Sequence, residues 1–314
     1  MAAISRGLPP LLAICMALAA CGGGSGAGAP AATTASSLQV SPTTRAVQRV
    51  VVVVIENADY DAVLGSTTMP WLNSVITQNS LGTQYYANTH PSIGNYFMLA
   101  TGQVLTNDSS LTPATFPVAA PNIVQSLVNA GRTWRSYAEG LPSVGYTGGN
   151  NVGTQYAVRH NPFAYLSVVQ NDPVQRQNLV PFSQFAQDLS SGGLPDFSFV
   201  SPDLCHSGHD CSSAVSDSWL QSNIQPLLQD ARFSDDGLLI IVFDEASDSD
   251  SSHGGGHIAL AVVAPKRVAK PAGYQSVTVY QHESLLRLTL ESLGVRELPG
   301  ASANAPAMWE FFSF

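Results

Sequence analysis

The chain has 314 residues and a mass of 33.0 kDa, and 45% of its residues are hydrophobic whereas 11% are charged. This apolar content is enough for a large buried core and excludes an intrinsically disordered chain. Beyond the N-terminus there is no run of about 18 apolar residues, which excludes a polytopic membrane protein. Asp and Glu total 22 against 13 Lys and Arg, for a net charge of −9, so no basic stripe is available for phosphates and nucleic-acid binding is not expected.

The N-terminal residues predict an export signal. Arg6 precedes an apolar stretch at 8–20, which is too short to span a bilayer as a mature helix. The stretch ends in Leu-Ala-Ala followed by Cys21, which resembles a bacterial lipobox, where the cysteine is lipidated and becomes the new N-terminus. Ordinary cleavage near Ala20 is the alternative. We therefore expect a lipoprotein signal peptide at 1–20 and an exported protein anchored to a membrane, on the periplasmic or cell-surface side.

Residues 21–46 are rich in Gly, Ala, Ser, Thr and Pro and have no periodicity, which predicts a flexible tether. Residues 47–314 contain no internal repeat and no clean interior linker. A chain of this length could form two domains, but α/β enzymes of similar size often form one. We therefore expect a single folded domain over 47–314.

The folded region begins with a run of β-branched residues, Arg49–Ile55, which predicts a strand buried on both faces, as in a parallel sheet. Similar runs predict strands at 133–137, 197–200, 238–243 and 258–263. Strands that alternate with helices predict a doubly wound α/β fold. The helical patterns that alternate with these strands lie at 69–78, 95–100, 121–130, 213–229 and 282–293.

Polar side chains follow three of the predicted strands at their carboxyl ends. Glu56 and Asn57 follow the first strand, the segment 203–210 follows the third, and Asp244 and Glu245 follow the fourth. Ligands bind at this edge of open α/β sheets. Carboxylates gathered there would repel one another unless a cation held them together, so a divalent cation is expected. For Glu56 and Asn57 taken alone, a helix or turn cap is the alternative.

Ser92 ends a polar loop that leads into a predicted helix terminated by Gly102. The backbone N–H groups and the dipole of a helix N-terminus suit a phosphoryl oxygen anion, which makes Ser92 a candidate nucleophile. A simple helix N-cap is the alternative, and both roles place Ser92 at the same position.

Several histidines are candidates for the same edge of the sheet. The Gly-rich segment 254–256 lets the backbone pass close to a ligand and brings His257 there. His160 and His209 lie in two further polar segments. A His in a site can ligate metal, contact phosphate or transfer protons, whereas a lone His is usually structural or solvated. His206 fits either interpretation.

Cys205 and Cys211 are the two cysteines that are not used or lost in export. In an oxidising, exported context an even pair this close predicts a disulfide that closes a small loop. A Cys/His zinc site is the alternative, since His206 and His209 lie between the two cysteines. The compartment favours the disulfide.

Six ordered segments of the chain match the motifs of a known family. They resemble the phosphoesterase family of bacterial and fungal acid phosphatases and phospholipases C, within the alkaline-phosphatase-like superfamily. The resemblance implies a three-layer α/β sandwich with a mostly parallel central sheet and helices on both faces, and a phosphoesterase catalytic domain at 47–314. The matching segments are Val-Val-Val-Ile-Glu56-Asn57, His90-Pro91-Ser92-Ile-Gly-Asn95-Tyr96, Arg159-His160-Asn161-Pro162-Phe163, Pro202-Asp203-Leu-Cys205 through His209-Asp210, Phe-Asp244-Glu245 with His257, and Tyr280-Gln-His282-Glu-Ser284.

The resemblance implies a metal-assisted displacement at phosphorus. Glu56, Asn57, Asp244 and Glu245 would hold the metal ion. Ser92 would attack phosphorus and form a phosphoseryl intermediate, because the cation lowers the pKa of the hydroxyl group and neutralises charge on the transferred oxygens.

Other residues receive roles from the same resemblance. Asn95 would contact the phosphate, and His160 and His257 would bind the substrate. His160 and His209 would act in catalysis. Two acidic residues are possible further members of the site, Asp203 and Asp210.

The chain departs from the two-zinc members of the superfamily. Those proteins usually have an Asp-His pair where this chain has Asp244-Glu245, and an Asp followed four residues later by His. Here Asp203 is followed by His206 and then His209. One metal ion, or a second site built differently, is therefore expected. Oxygen ligands would suit Mg, Ca or Mn, and a His ligand would admit Zn.

The expected function is hydrolysis of phosphate monoesters outside the cytoplasm, of the acid-phosphatase type. A phosphodiesterase of the phospholipase C type, acting on phospholipid head groups, is the alternative. A non-catalytic binding lipoprotein is a more distant alternative. The expected partners are a phosphate-ester substrate and a membrane reached through the N-terminal lipid; no oligomeric state is predicted.

Overall fold

One mostly parallel sheet of eight strands organises residues 47–314, which are the residues that the structure, a computed structural model, describes. The strands lie in the order β4-β3-β5-β1-β6-β7-β2-β8. Only the pairs that involve β7, with β6 and with β2, are antiparallel within these residues. The strands are β1 (Arg49–Ile55), β2 (Ser80–Gly82), β3 (Trp134–Ala138), β4 (Leu179–Pro181), β5 (Phe197–Ser201), β6 (Gly237–Phe243), β7 (Leu260–Val263) and β8 (Tyr274–Ser276).

The valine-rich strand β1 lies inside the sheet, paired in parallel with β5 on one side and with β6 on the other. Residues 50–55 are all buried. Successive side chains of a strand point to opposite faces, so the elements packed on the sheet cover both faces of β1. This confirms the predicted α/β fold with a mostly parallel central sheet.

The described residues contain ten α-helices. Helix α2 packs against α8, and α3 packs against α10. The helices are α1 (Tyr60–Val63), α2 (Pro70–Gln78), α3 (Ser92–Thr101), α4 (Ile123–Asn129), α5 (Ser167–Gln170), α6 (Pro173–Arg176), α7 (Ser183–Ser191), α8 (Ser213–Gln229), α9 (Ala231–Ser234) and α10 (His282–Ser292).

The long predicted elements are present, with ends that differ by a few residues. The predicted strand 258–263 is shorter in the structure, and the predicted helix 95–100 begins earlier, at Ser92. Strands β2, β4 and β8 were not predicted because each has three residues, too few for an alternating pattern. Helix α7 was not predicted either, since its sequence SQFAQDLSS has few apolar positions.

Helix α3 carries the candidate nucleophile at its first position, and its two ends have clear causes in the sequence. Pro91 precedes the helix with extended backbone, and Gly102 ends it with a left-handed φ of 68°. All ten residues of α3 are buried. The Ser92 hydroxyl is therefore held on a buried, rigid element.

The predicted disulfide between Cys205 and Cys211 is confirmed, with an S–S distance of 1.98 Å. Because both sulfur atoms are used in this bond, the alternative in which the two cysteines ligate zinc is wrong. The bridge closes the loop that follows β5 and contains His206, His209 and Asp210.

The predicted signal peptide, the lipidation of Cys21 and the tether at 21–46 lie outside the described residues. Among residues 47–314, no helix combines the length and the apolar character needed to cross a membrane.

Candidate active site

The hydroxyl of Ser92 lies between two buried carboxylates. Its Oγ donates to Oε1 of Glu245 at 3.0 Å and lies 3.4 Å from Oε2 of Glu56. Glu56 follows β1, Glu245 follows β6, and the parallel pairing of these strands places their carboxyl ends at the same edge of the sheet. The three residues are only 2–3% exposed. The structure therefore brings together three residues that the sequence predicted for one site.

The carboxylate of Asp244 belongs to the same group, because it binds backbone N–H groups of residues next to Glu56 and Asp244 itself. Its Oδ1 accepts hydrogen bonds from the backbone N–H groups of Asn57, at 3.1 Å, and Glu245, at 2.7 Å. Its Oδ2 is buried and has no hydrogen-bond partner. A buried carboxylate oxygen without a partner is costly, so this atom is free to accept a ligand from the site.

The carboxylates of this cluster resist ionisation. Burial, together with the charge of Glu245, raises the pKa of Asp244 to about 7. Burial and repulsion from Asp244 raise the pKa of Glu56 well above its usual range, and burial also raises the pKa of Glu245. A cation bound among these oxygens would remove the repulsion. The orphaned Oδ2 and the neighbouring carboxylate oxygens are hard donors of the kind that a divalent cation takes, so the chemistry of these residues fits such an ion.

The four predicted metal residues differ in how they reach the cluster. The contact that ties Asn57 to it is made by the backbone N–H, and Asn57 is exposed at a left-handed φ of 47°. Glu56, Asp244 and Glu245 are buried carboxylates grouped around Ser92. A cavity of about 300 Å³ borders Glu56 and Asn57. The ion-binding roles of all four residues stay predictions.

Tyr96 and His160 are further residues that lie against the Glu56 carboxylate. The Tyr96 hydroxyl donates to Oε1 of Glu56, and the Tyr96 ring stacks on the His160 ring with centroids 5.1 Å apart. Nε2 of His160 lies 3.2 Å from Oε2 of Glu56 but does not have hydrogen-bond geometry. Burial, followed by the charges of Arg159 and His209, lowers the pKa of His160 well below its usual value. His160 is therefore a neutral imidazole beside the carboxylates.

His90 is a member of the site to which the sequence assigned no role. Its Nδ1 lies 2.9 Å from Oε2 of Glu245, and its Nε2 lies 2.9 Å from the Asp250 carbonyl oxygen. A carbonyl oxygen only accepts, so Nε2 carries a proton. Burial lowers the pKa of His90, but the Asp250 carbonyl and Glu245 outweigh it and the net pKa is raised. The signal available in the sequence was its position two residues before Ser92.

Asn95 is buried in the same helix and is occupied by backbone contacts. Its Oδ1 accepts from the backbone N–H groups of Asn88, at 2.9 Å, and Thr89, at 3.2 Å, and its Nδ2 donates to the Thr89 carbonyl at 2.7 Å. Nδ2 also lies 3.5 Å from Oε2 of Glu245. In the structure, Asn95 thus holds the loop before Ser92 through these hydrogen bonds. Its predicted contact with phosphate stays a prediction.

Close packing of two loops fixes His90 against Glu245. The backbone N–H of Gly255 donates to the Ala87 carbonyl at 3.1 Å. A Cβ atom on Gly254 would overlap the Asn88 carbonyl oxygen, and one on Gly255 would lie 2.5 Å from the Thr89 carbonyl oxygen. The predicted close approach of the Gly-rich segment is therefore an approach to the loop before Ser92.

His257, at the end of that segment, does not contact the carboxylates through its described hydrogen bonds. Its ring stacks on Tyr60 at 4.1 Å and on Tyr86 at 4.8 Å, and its Nε2 donates to the Thr83 carbonyl at 3.0 Å. These contacts are those of a packed histidine. Its substrate-binding role stays a prediction.

His209 and Asp210 are exposed on the disulfide-closed loop. Nδ1 of His209 lies 2.6 Å from Oδ1 of Asp210, and its Nε2 accepts from Arg159 at 3.1 Å. The rings of His209 and His160 have centroids 5.9 Å apart. His209 therefore adjoins the site through His160 and does not touch Ser92 by any described hydrogen bond.

Asp203 belongs to a different group of side chains. It contacts His206 and Glu139, which follows β3. In the described part of the chain these three are the one set of His, Cys, Asp or Glu residues whose possible ligand atoms all lie within 4.8 Å of one another. Glu139 was not among the predicted site residues, since a single acidic residue after a strand is a weak signal.

Comparisons with known proteins identify the family of the chain. The sequence model described as the phosphoesterase family matches residues 66–295. Over 266 residues the chain is 32% identical to the phosphatidylinositol-3-phosphatase of Mycobacterium tuberculosis, a match that covers 84% of this chain and 82% of that protein. It is 29% identical to the probable acid phosphatase of Kluyveromyces lactis, over 77% of this chain and 57% of the yeast protein. It thus spans little more than half the length of that fungal relative.

Solved structures of low identity share the fold. A protein of the alkaline phosphatase superfamily from Vibrio parahaemolyticus superposes with a TM-score of 0.58 at 13% identity, covering 82% of this chain and 69% of that one. The lipoteichoic acid synthase LtaP from Listeria monocytogenes superposes with a TM-score of 0.55 at 11% identity, covering 80% of this chain and 73% of that one. With the family model matched over most of the described residues, the chain belongs to the phosphoesterase family.

Proposed function

We propose that this protein is a metal-dependent phosphoric ester hydrolase that cleaves phosphate monoesters through a phosphoseryl intermediate. The observation that carries the proposal is the Ser92 hydroxyl, buried at the start of α3 and hydrogen-bonded to Glu245 beside Glu56 and the partnerless oxygen of Asp244. The acid phosphatases among its relatives support the reaction class.

The cation would be held by Glu56, Asn57, Asp244 and Glu245. When bound, it supplies a positive charge that lowers the pKa of the Ser92 hydroxyl and neutralises the phosphoryl oxygens. Before the reaction the buried carboxylates would then be ionised, because their mutual repulsion is offset, and Glu245 could accept a proton. Oxygen donors suit Mg, Ca or Mn. The ion that restores turnover to the chelated protein would identify the metal.

In the first chemical step, Oγ of Ser92 forms a bond to phosphorus as the bond between phosphorus and the leaving oxygen breaks. The hydroxyl proton passes to Oε1 of Glu245, which already accepts it at 3.0 Å. The N-terminus of α3 faces the developing charge on the phosphoryl oxygens with its positive end. Because α3 is buried over its whole length, the attacking atom is already positioned.

In the second step, water attacks phosphorus, the bond to Ser92 Oγ breaks, Oγ recovers the proton held by Glu245, and both protons of the water leave with the released phosphate as dihydrogen phosphate. For the oxygen that leaves in the first step, the proton would come from His160, which lies beside Glu56, or from His209, which lies beside His160, directly or through water. His160 is neutral, so it would need to bind a proton before it could donate one.

Two features support a setting outside the cytoplasm. The lipobox-like sequence ending at Cys21 and the disulfide between Cys205 and Cys211 are both typical of exported proteins. We infer that the protein is a lipid-anchored enzyme on the periplasmic or cell-surface side, where phosphorylated lipid head groups are within reach. The name of the mycobacterial relative supports testing such head groups as substrates.

One preparation assayed on four substrates tests the proposal. We expect hydrolysis of an aryl phosphate, and of a phosphatidylinositol phosphate if head groups are substrates, with loss of both after chelation and recovery on adding metal. Turnover of an aryl phosphodiester and of phosphatidylcholine in place of the monoesters would support the phospholipase C alternative. No turnover of any substrate across metals and pH values would support the non-catalytic alternative.

A further inference from the structure

A second group of ligand-type side chains surrounds Nδ1 of His206. This atom lies 3.0 Å from Oε2 of Glu139 and 3.3 Å from Oδ2 of Asp203. Glu139 follows β3, Asp203 follows β5, and His206 lies in the disulfide-closed loop. Two separate segments, the end of β3 and the loop after β5, thus converge on a point that the proposed reaction does not use.

The two distances from His206 Nδ1 to the carboxylate oxygens fit a small tetrahedral cation. Zinc binds His nitrogen and carboxylate oxygen at about 2.0–2.2 Å, so donor atoms on neighbouring corners of a tetrahedron lie about 3.3 Å apart. The two distances from His206 Nδ1 are 3.0 and 3.3 Å. One imidazole nitrogen and two carboxylate oxygens form a donor set that zinc and other divalent transition metals accept.

Hydrogen bonding alone uses these groups poorly. Nδ1 of His206 carries at most one proton, and that proton cannot point at Glu139 and Asp203 together. Two carboxylate groups also lie close together beside this one nitrogen. A divalent cation at this point would satisfy all three donors and balance the charge.

Neighbouring contacts hold the donors in place. Oδ1 of Asp203 accepts from the backbone N–H groups of Cys205, at 3.0 Å, and His206, at 2.8 Å, which leaves Oδ2 turned toward the His206 ring. The backbone N–H of Asp203 donates to Oε2 of Glu139 at 3.2 Å. Outer hydrogen bonds of this kind orient metal ligands in proteins.

Solvent can supply the ion and a fourth ligand. The side chains of Glu139 and His206 are 23% and 37% exposed. Both border an open cavity of about 620 Å³, which is also lined by Ser218, Ser222 and Asn223. Three protein donors with one corner open to water is a common zinc arrangement.

We propose that Glu139, Asp203 and His206 bind a divalent transition-metal ion at a site separate from the Ser92 cluster. Zinc is the ion that we expect there. The ion would fasten the disulfide-closed loop to the ends of β3 and β5. The next residue of that loop, Ser207, accepts the Glu56 backbone N–H through its carbonyl at 2.9 Å. The ion would therefore help to hold Glu56 in position through this loop, without touching the groups that react.

The test measures bound metal in proteins whose Ser92 cluster has been weakened by the Asp244→Asn substitution, so that metal bound there does not interfere. After dialysis with zinc, the Asp244→Asn protein should retain about one equivalent of zinc, and the Asp244→Asn/His206→Asn protein should retain none. Asp244→Asn/His253→Asn is the matched control, because His253 is an exposed His on another loop, and it should retain the metal. Equal retention in all three proteins, or binding of Ca²⁺ or Mg²⁺ but not of zinc, manganese or cobalt, would overturn the proposal.

A spectroscopic titration of the otherwise unchanged protein guards against a variant that does not fold. Adding zinc should shift the Nδ1 resonance of His206 in the otherwise unchanged protein and leave it unshifted in the Glu139→Gln protein. If His206 responds to pH but not to zinc, the group is a hydrogen-bonded ion pair and the proposal is wrong. None of these readouts uses turnover, so they remain decisive even if the proposed hydrolase activity is not found.

Discussion

His90 and Glu245 form a side-chain pair, 2.9 Å apart from Nδ1 to Oε2, in which the other carboxylate oxygen of Glu245 accepts the Ser92 hydroxyl. Because Nε2 of His90 is fixed by the Asp250 carbonyl, the ring cannot turn without losing one of the two contacts. The pair therefore sets the direction in which Glu245 presents its free oxygen to Ser92.

Replacing His90 should reduce turnover by leaving Glu245 free to rotate. We expect His90→Ala to lower kcat by about 10–100-fold with little change in KM, as for other groups that orient a reacting residue. His90→Asn keeps a donor near the Nδ1 position and should recover part of the loss. His253→Asn serves as the control; a control loss as large as that of His90→Ala would contradict the positioning role.

Removing the Ser92 hydroxyl should abolish the covalent route. Ser92→Ala is expected to lower turnover by roughly 10³-fold or more while phosphate still binds, because the carboxylates and the helix terminus remain. Quenching the unaltered protein during turnover should trap phosphate on Ser92, as mass spectrometry would detect. Near-normal turnover in Ser92→Ala, with stability lowered by about 1 kcal/mol, would identify the residue as a helix cap only.

Asp244 predicts an unusual pH dependence of stability in the chelated protein. Its pKa is about 7 in the folded state, against a usual value of 3.8. Between these values the folded state holds a proton that the unfolded state has lost, so stability should fall as pH rises from about 4 to about 7. The difference in thermal stability between the unaltered protein and Asp244→Asn, measured across this range, should show the fall.

Metal should reverse that trend. A cation favours the ionised carboxylates, so the stabilisation it gives the unaltered protein should grow as pH rises toward 7. Asp244→Asn should also lose turnover with the fold largely intact. Identical pH profiles in the two chelated proteins, or full activity after exhaustive chelation, would contradict the metal-binding role of this cluster.

The disulfide should contribute to stability by constraining the loop that follows β5. Replacing both cysteines, as Cys205→Ser with Cys211→Ser, is expected to cost about 2–3 kcal/mol of unfolding free energy in the chain-entropy model. Denaturant unfolding measures this cost. Two free thiols in the exported, non-reduced protein would contradict the bond itself.

Cys21 should carry the lipid. Cys21→Ala is expected to move the protein from the membrane fraction to the soluble exported fraction, which cell fractionation with labelled fatty acid would show. Ser25→Ala, in the same Gly-rich segment, is the control and should stay with the membrane. A Cys21→Ala protein that still carries label would contradict the lipobox interpretation.

The sequence predicted best those features that depend on a single strand and on the residues directly after it. The apolar runs of β1 and β6 identified both strands, and the residues at their carboxyl ends, Glu56, Asp244 and Glu245, do meet at one edge. The partners that come from distant segments were not predictable. Tyr96 belongs to the Ser92 motif, but nothing local indicated that its hydroxyl would donate to Glu56.

The predicted roles of Asn95 and His257 show that residue type alone does not establish whether a side chain is available to a ligand. Both have residue types suited to a phosphate site, but Asn95 is bonded to the backbone of Asn88 and Thr89, and His257 is packed between two tyrosines. A sequence shows which chemistry a side chain offers. Competition from nearby backbone groups and aromatic rings, which decides whether that chemistry is available, depends on tertiary contacts.

The contact of Gly254 and Gly255 with the backbone of Asn88 and Thr89 implies an uneven tolerance to substitution within one short loop. The Asp248 side chain, at the tip of this loop, is fully exposed and approaches His90 only through its charge, with Oδ1 3.9 Å from Nδ1, so a change in its size should be tolerated. One added methyl group at either glycine must push the two loops apart, and with them His90 from Glu245. The distance between nucleophile and carboxylate is thus set partly by two positions that have no side chain at all.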